Sequence, residues 1–345
     1  MSLNKIYYLI SSLLAFFAAF IYFSPVVVTT DFIYPLRIDS MYVTLHDKLP
    51  DEEMLPPEAA FEDVIRLYNP ASLGLEYSEF NVKTLDNLLL RGWYVPAPDT
   101  PSNTIILLHD LNQSKINLLD HIKQFRDRGL NVCAVDMRAH GNSDGIEFTP
   151  GLPAILDVKM IIDQLLLTPE TNHLIVMGFG LGSAIAMQVA AYDGRCDVVI
   201  LQSPSNNLST YLDRYAYEKW GAMKFLWYPV FKRKVENLLQ FGIRELDLSI
   251  IARYNKLPTL FISAASDKIS FTTEILAIYD SSGARRKSLF LVKDATRYSI
   301  EEIAGAGYYN RITEFINKSM PRKPKTTRYK KLTLNDQQGH DRTGI

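Results

Sequence analysis

The stretch "HLIVMGFGLGSAIAMQVAAY", His173 to Tyr192, holds the first residues whose types and spacing bear on chemistry. An apolar run, His173–Met177, enters a glycine-punctuated turn, and a helix of small residues follows. A strand, a sharp turn and a helix in that order present a nucleophile at the turn's tip, normally as Gly-x-Ser-x-Gly. Here the motif reads Gly178-Phe179-Gly180-Leu181-Gly182. Gly180 stands at the tip and has no side chain with which to attack. The tip demands strained backbone geometry, which glycine accepts almost freely. Ser183 falls inside the first helical turn, and Ser203 and Ser205 follow the next strand; all three read as caps or packing residues. A dinucleotide-binding fingerprint fits the three glycines less well. Its third glycine comes one position early, and the strand "CDVVILQSP" ends without the carboxylate that would hold a ribose.

The elements around this turn must do the positioning. "LEYSEFNVKTLDNLLLRGWYVPAP" alternates apolar and polar residues about a Leu-Asp-Asn turn, the pattern of a β-hairpin. Strands and helices then alternate. "NTIILLHD", "LNVCAVDMR", "HLIVMGF", "CDVVILQSP", "PTLFISAAS" and "KSLFLVKDA" read as strands, and "SKINLLDHIKQFRDRG" and "GLPAILDVKMIIDQLLL" as helices. Ser114 is the candidate N-cap of the first helix and Gly129 its stop. Continuous Val/Ile/Leu runs between helices imply a mostly parallel sheet covered on both faces. About fifty helical, aromatic-rich residues, 205–257, precede the strand at 258. They read as helices packing aromatics on the sheet, or as a lid over a pocket.

This order of elements resembles the α/β-hydrolase superfamily, over roughly residues 70–318. The look is closest to membrane-anchored, serine-aminopeptidase-like and acyl-esterase-like members. "VDMRAHGNSDG", Val135–Gly145, is similar to the family's Asp-x-Arg-Gly-His-Gly-x-Ser loop, and "LPTLFISAASDKIS" to the segment around its catalytic acid. The resemblance implies a hydroxyl nucleophile at position 180, an acid at Asp267 and a histidine after the last strand. In "KDATRYS" that histidine's place holds Arg297, or Tyr298 if the register slips by one. After Asp267 the next histidine is His340, near the chain's end. Neither Arg nor Tyr can act as the base near neutrality, because their reference pKa values lie far above it. His109 and His140 match positions that are structural in the family, His121 lies on a helix and His173 opens a strand.

The supporting positions depart as well. Where the family has His-Gly before its oxyanion loop, this chain has His109-Asp110. A carboxylate there opposes a developing oxyanion. The backbone N–H groups of Leu111 and Leu181 remain candidates for that oxyanion hole. The expected function is therefore a hydrolase-fold protein without serine-hydrolase activity, acting in binding or as a scaffold. The alternative is an active esterase- or peptidase-like hydrolase with non-standard residues. Asp267, deprived of an imidazole, is expected to pair with Arg297. With Asp110 nearby, this corner is either an empty structural pair or the seat of a small carboxylate or phosphate.

Hydrophobic residues make up 47% of the 345-residue chain and charged residues 22%, ordinary for a globular protein. The net charge of −1 hides a basic C-terminal segment, in which Lys318–Lys331 holds seven Lys/Arg. Cys133 and Cys196 cannot form a disulfide framework or a zinc site. No cofactor, metal or nucleic acid is expected. "IYYLISSLLAFFAAFIYFSPVVV", Ile6–Val28, runs uncharged for long enough to span a bilayer. The expected organisation is an anchor at 1–29, a stalk at 30–69, the hydrolase-like domain at 70–318 and a basic disordered tail at 319–345. That arrangement makes the chain a single-pass membrane protein with its body on the non-cytoplasmic side.

Overall fold

The computed structural model describes residues 5–8, 10–19, 68–148, 150–239 and 246–320. Residues 30–67 of the expected stalk, most of the expected tail and His340 lie outside the described residues.

Eight strands form one sheet: β1 (Ser78–Lys83), β2 (Leu89–Val95), β3 (Ser102–Leu108), β4 (Asn131–Val135), β5 (Thr171–Phe179), β6 (Val198–Gln202), β7 (Thr259–Ala264) and β8 (Lys287–Val292). Their order is β1-β2-β4-β3-β5-β6-β7-β8. The β1–β2 hairpin and the β2–β4 pair are antiparallel, and every pairing from β4 to β8 is parallel. This is the mostly parallel sheet expected from the apolar runs. β4, β6 and β7 are buried along their whole length, as strands covered on both faces must be.

Helices cover both faces. α1 (Leu119–Arg126) follows β3, α2 (Leu152–Leu167) follows β4, and α3 (Leu181–Tyr192) follows β5. α4 (Leu208–Trp220), α5 (Lys224–Leu239) and the short α6 (Leu248–Ile251) fill the connection from β6 to β7. α7 (Thr272–Ser281) leads to β8, and α8 (Ile300–Ala304) and α9 (Ala306–Ser319) follow it. Strand alternation feeds two cores. Ile106 and Leu108 of β3 face the core shared with α2, α3, α6 and α7, while Ile105 and Leu107 face the one shared with α1 and α9. Ser114 caps a 3-10 turn, Lys115–Leu118, that precedes α1. That turn carries Lys115 fully inside, its Nζ donating to Asp136 at 2.5 Å. A buried charge of this kind persists only when it is paired.

One expectation requires correction. Among the described residues no helix is long and apolar enough to cross a membrane. The apolar N-terminal stretch is helical at residues 5–8 and 10–19, and its residues 9 and 20–28 lie outside the described residues. An uncharged run in sequence establishes apolarity, not helix length, and the single-pass assignment that rested on it falls.

The aromatic segment also resolves in part. Leu208, Tyr211, Leu212 and Ala216 form the buried stripe of α4, at the spacing an amphipathic helix requires. Phe231 and Val235 of α5 are buried too, whereas Tyr217 and Phe225 are exposed. The segment packs on the sheet's core, and two of its tyrosines also line a cleft.

Candidate functional site

The β5–α3 turn is a tight elbow. Gly180 has φ 50° and ψ −112°, a region that penalises any residue with a Cβ. Its amide donates to the Gln202 carbonyl at 2.9 Å, tying the tip to β6. Two positions later the helix runs so close to β3 that a Cβ on Gly182 would lie 2.3 Å from the Leu108 carbonyl oxygen. The small residues of α3 are therefore a packing requirement.

Leu108 of β3 pairs with Gly178 of β5, so the residues that follow each strand meet above the sheet. Asp110 consequently reaches the elbow. Its Oδ1 accepts from the backbone N–H groups of both Leu111 and Leu181, each at 2.8 Å. These are the two amides that the resemblance assigns to the oxyanion hole. A side-chain carboxylate sits in the seat of the reaction's oxyanion, and it caps α3 at its N-terminus, where negative charge is favoured. The expectation that Asp110 merely repels an oxyanion there needs refinement, because Asp110 occupies the position itself. The Leu111 and Leu181 amides, which would face the expected small anionic ligand, already have Asp110 as their acceptor.

Gly180 is explained by the same carboxylate. A Cβ at position 180 would lie 2.1 Å from the Asp110 carboxyl atoms. The tip has no room for a serine while Asp110 keeps its place.

Arg297, in the loop after β8, lies between two carboxylates. Its Nε is 3.5 Å from Asp110 Oδ2 and 3.9 Å from Asp267 Oδ2. The expected pair with Asp267 is present at the longer distance, and Asp110 is the nearer partner. Its Nη2 donates to the Ser203 carbonyl at 3.2 Å and to Ser270 Oγ at 3.4 Å. Burial works against the guanidinium's charge, yet Asp110, Tyr211 and Asp267 together raise its pKa above the usual value. Asp267 is fixed separately, its Oδ1 accepting from Ile269 N at 2.8 Å and Ser270 N at 2.9 Å. Asp267 Oδ2, Arg297 Nη1 and Ser203 Oγ are buried without hydrogen-bond partners.

The other candidates are placed plainly. Ser183 is fully buried and its Oγ is 2.6 Å from both the Gly178 and the Gln202 carbonyl oxygens. Ser205 Oγ bonds Ser270 Oγ at 2.7 Å. Tyr298, the alternative to Arg297, is 71% exposed at the rim of a cleft. His121 is held by Tyr309 at Nδ1 and Glu301 at Nε2, and His173 Nδ1 lies 3.3 Å from Asp197 Oδ2. Among the described residues no group of His, Cys, Asp and Glu is arranged to hold a metal.

His109 serves as a strut for the Asp110 loop. Its Nε2 accepts from Met137 N at 3.0 Å, so Nδ1 carries the proton and donates to the Asp110 carbonyl at 2.8 Å. Burial holds its pKa below the ordinary value of 6.5. The unfolded chain then binds a proton that the folded one does not, as pH falls below about 6.5. His109 should cost up to about 1.4 kcal/mol of stability per pH unit below that point, down to its folded pKa. His109→Gln, which can still accept from Met137 N, should flatten that slope between pH 7 and 5 in urea unfolding. An unchanged slope would mean that His109 stays charged in the fold.

Sequence reasoning missed two features. One is the Asp110 contact with Leu181, which reading positions 110, 180 and 297 together, a carboxylate, a glycine and a guanidinium, could have found. The other is Ser203, whose φ of 50° is strained for a non-glycine residue and turns its carbonyl toward Arg297. Nothing in "LQSP" signals it.

Above Asp110 opens a cleft of about 380 Å³, lined by Asp110, Asn112, Tyr211, Tyr215, Glu218 and Tyr298 among others.

Known proteins resemble this chain in sequence and in fold. Residues 99–256 match the family model described as serine aminopeptidase, S33. YqkD of Bacillus subtilis is 27% identical over 201 residues, covering 56% of this chain and 64% of that protein, less than two thirds of its length. Protein bem46 of Schizosaccharomyces pombe is 20% identical over 264 residues, 72% of this chain and 79% of that one. Among solved structures, the Pyrococcus furiosus esterase Pf2001 superposes with a TM-score of 0.63 at 22% identity, covering 74% of this chain and 95% of that one. Identity that low speaks for the fold alone. Sheet order and the elbow between β5 and α3, with the serine-aminopeptidase match over residues 99–256, give this chain the α/β-hydrolase fold.

Proposed function

We propose that this hydrolase-fold protein binds a ligand or partner at its former active-site corner and does not cleave it. The observation that carries the reading is the Asp110 carboxylate on the Leu111 and Leu181 amides. Acyl transfer on this fold needs a hydroxyl at the elbow, an imidazole to take its proton, and two open N–H groups for the oxyanion. Position 180 is glycine, position 297 is arginine, and both N–H groups are engaged. Loss of nucleophile and base alone lowers turnover by about 10⁶, and loss of an oxyanion donor by a further 10²–10³ in enzymes that depend on it. A guanidinium whose pKa is raised further is no proton acceptor near neutral pH.

The test is direct. The full-length protein, incubated with a fluorophosphonate probe and a panel of p-nitrophenyl esters, should neither label nor turn over above a heat-denatured control. Labelling of any serine, or ester hydrolysis abolished by Ser183→Ala, would overturn the proposal.

A further inference from the structure

We infer that the cleft above Asp110 binds a small organic cation, an alkyl- or quaternary ammonium, against Tyr215 and Tyr298 and beside the Glu218 carboxylate. The inference rests on the non-catalytic reading above and names the class of ligand.

Size comes first. A cleft of about 380 Å³ falls in the range that small-molecule sites occupy, roughly 300–1,000 Å³. Its walls then restrict the chemistry. The charged side chains that line it are Asp110 and Glu218, both carboxylates, and its amides come from Asn112, Gln113 and Asn117. The nearest cation, Arg297, is beneath the floor with a side chain only 5% exposed, its Cζ 6.0 Å over the Tyr211 ring and its Nη2 directed to the Ser203 carbonyl. An anion entering the cleft meets two carboxylates and finds the Leu111 and Leu181 N–H groups already engaged.

The aromatic residues supply the attractive part. Tyr211 and Tyr215 are stacked with centroids 6.3 Å apart and an interplanar angle of 9°. Tyr298 lines the same cleft, 71% exposed. Aromatic rings attract cations through their negative faces, and tyrosine does so as a neutral phenol. Burial, and after it the Asp110 charge, pushes the Tyr211 hydroxyl well above its usual pKa, so that ring stays neutral at any physiological pH. Tyr211 already carries the Arg297 guanidinium over its ring, so Tyr215 and Tyr298, with a carboxylate at the rim, form the setting that recognises alkylated ammonium groups, whose hydration is weak and whose charge is spread.

The experiment titrates the full-length protein with choline, with its uncharged isostere 3,3-dimethyl-1-butanol, and with butyrate, following tyrosine fluorescence and thermal unfolding. Choline should bind saturably and at least about 5-fold more tightly than the isostere, and butyrate should not bind. Glu218→Gln and Tyr298→Ala should each weaken choline by about 3- to 5-fold. Both side chains are exposed, so neither variant should change the melting temperature. Equal or tighter binding of the isostere or butyrate overturns the inference, and so does the absence of saturable choline binding in the millimolar range. Choline binding unaffected by both substitutions overturns it too. The two readings fail separately: fluorophosphonate labelling removes the non-catalytic reading, whereas a silent protein indifferent to choline removes only the cation.

Discussion

In the Gly180→Ser variant, stability should fall by about 4 kcal/mol, measured by urea unfolding, and most of the loss should trace to Asp110. Two costs add. A serine held at φ 50° and ψ −112° stores roughly 1–3 kcal/mol of backbone strain. Its Cβ would also fall 2.1 Å from the Asp110 carboxyl, which must leave one or both of its amide donors. Each charge-assisted hydrogen bond lost costs about 1.5–3 kcal/mol. Asp110→Gly removes the obstruction, so the pair of substitutions should fall short of the summed losses by about 2 kcal/mol, the behaviour of residues in direct contact. Strict additivity, or a melting temperature raised by Gly180→Ser, would show that the carboxylate does not fill the tip. The same contact governs any return of chemistry. Gly180→Ser with Arg297→His introduces a hydroxyl and an imidazole but leaves the Leu111 and Leu181 amides engaged. That double variant should remain silent to fluorophosphonate, and adding Asp110→Gly should bring labelling at position 180. Equal labelling of both would remove Asp110 from the explanation.

How much of this was legible in the sequence depends on the range of the forces concerned. The sheet was legible because "VVILQ" and "TLFISA" are fully buried strands whose apolar runs need no partner to be recognised. The elbow was legible because Gly178, Gly180 and Gly182 mark a turn where neighbouring atoms leave no room for a Cβ. The single-pass anchor was read from hydropathy alone, a property of composition, and among the described residues no helix is long and apolar enough to cross a membrane.

At the site, Gly180, Asp110, Asp267 and Arg297 were singled out one by one, through positions within a resemblance. Their coupling was not legible. Asp110 meets Leu181 only because β3 and β5 are parallel neighbours in the register that sets Leu108 beside Gly178. Seventy residues of sequence separate contacts that share one hydrogen bond. The sign of Asp110's effect depended on that geometry: at a distance it is a repulsive charge, and on the amides it is a helix cap.

Arg297→Met should cost about 3–5 kcal/mol, because it removes the cation from between two buried carboxylates. Methionine has nearly the length of the arginine stem, so the loss measures charge and hydrogen bonding more than an empty cavity. Asp110 and Asp267 would then face the same space with no counter-charge, and the Ser203 carbonyl and Ser270 Oγ would lose a donor. Arg297→Lys keeps the charge but loses the planar fork, which reaches both carboxylates and the Ser203 carbonyl together. It should lie between wild type and Arg297→Met. A combined Arg297→Met, Asp110→Asn and Asp267→Asn variant should recover a large part of the loss, since replacing every member of a buried charged group is far less costly than removing one. Urea unfolding of the four proteins checks the order. If Arg297→Met costs less than about 1 kcal/mol, the two carboxylates are solvated, and Arg297 is not what holds Asp110 on the amides.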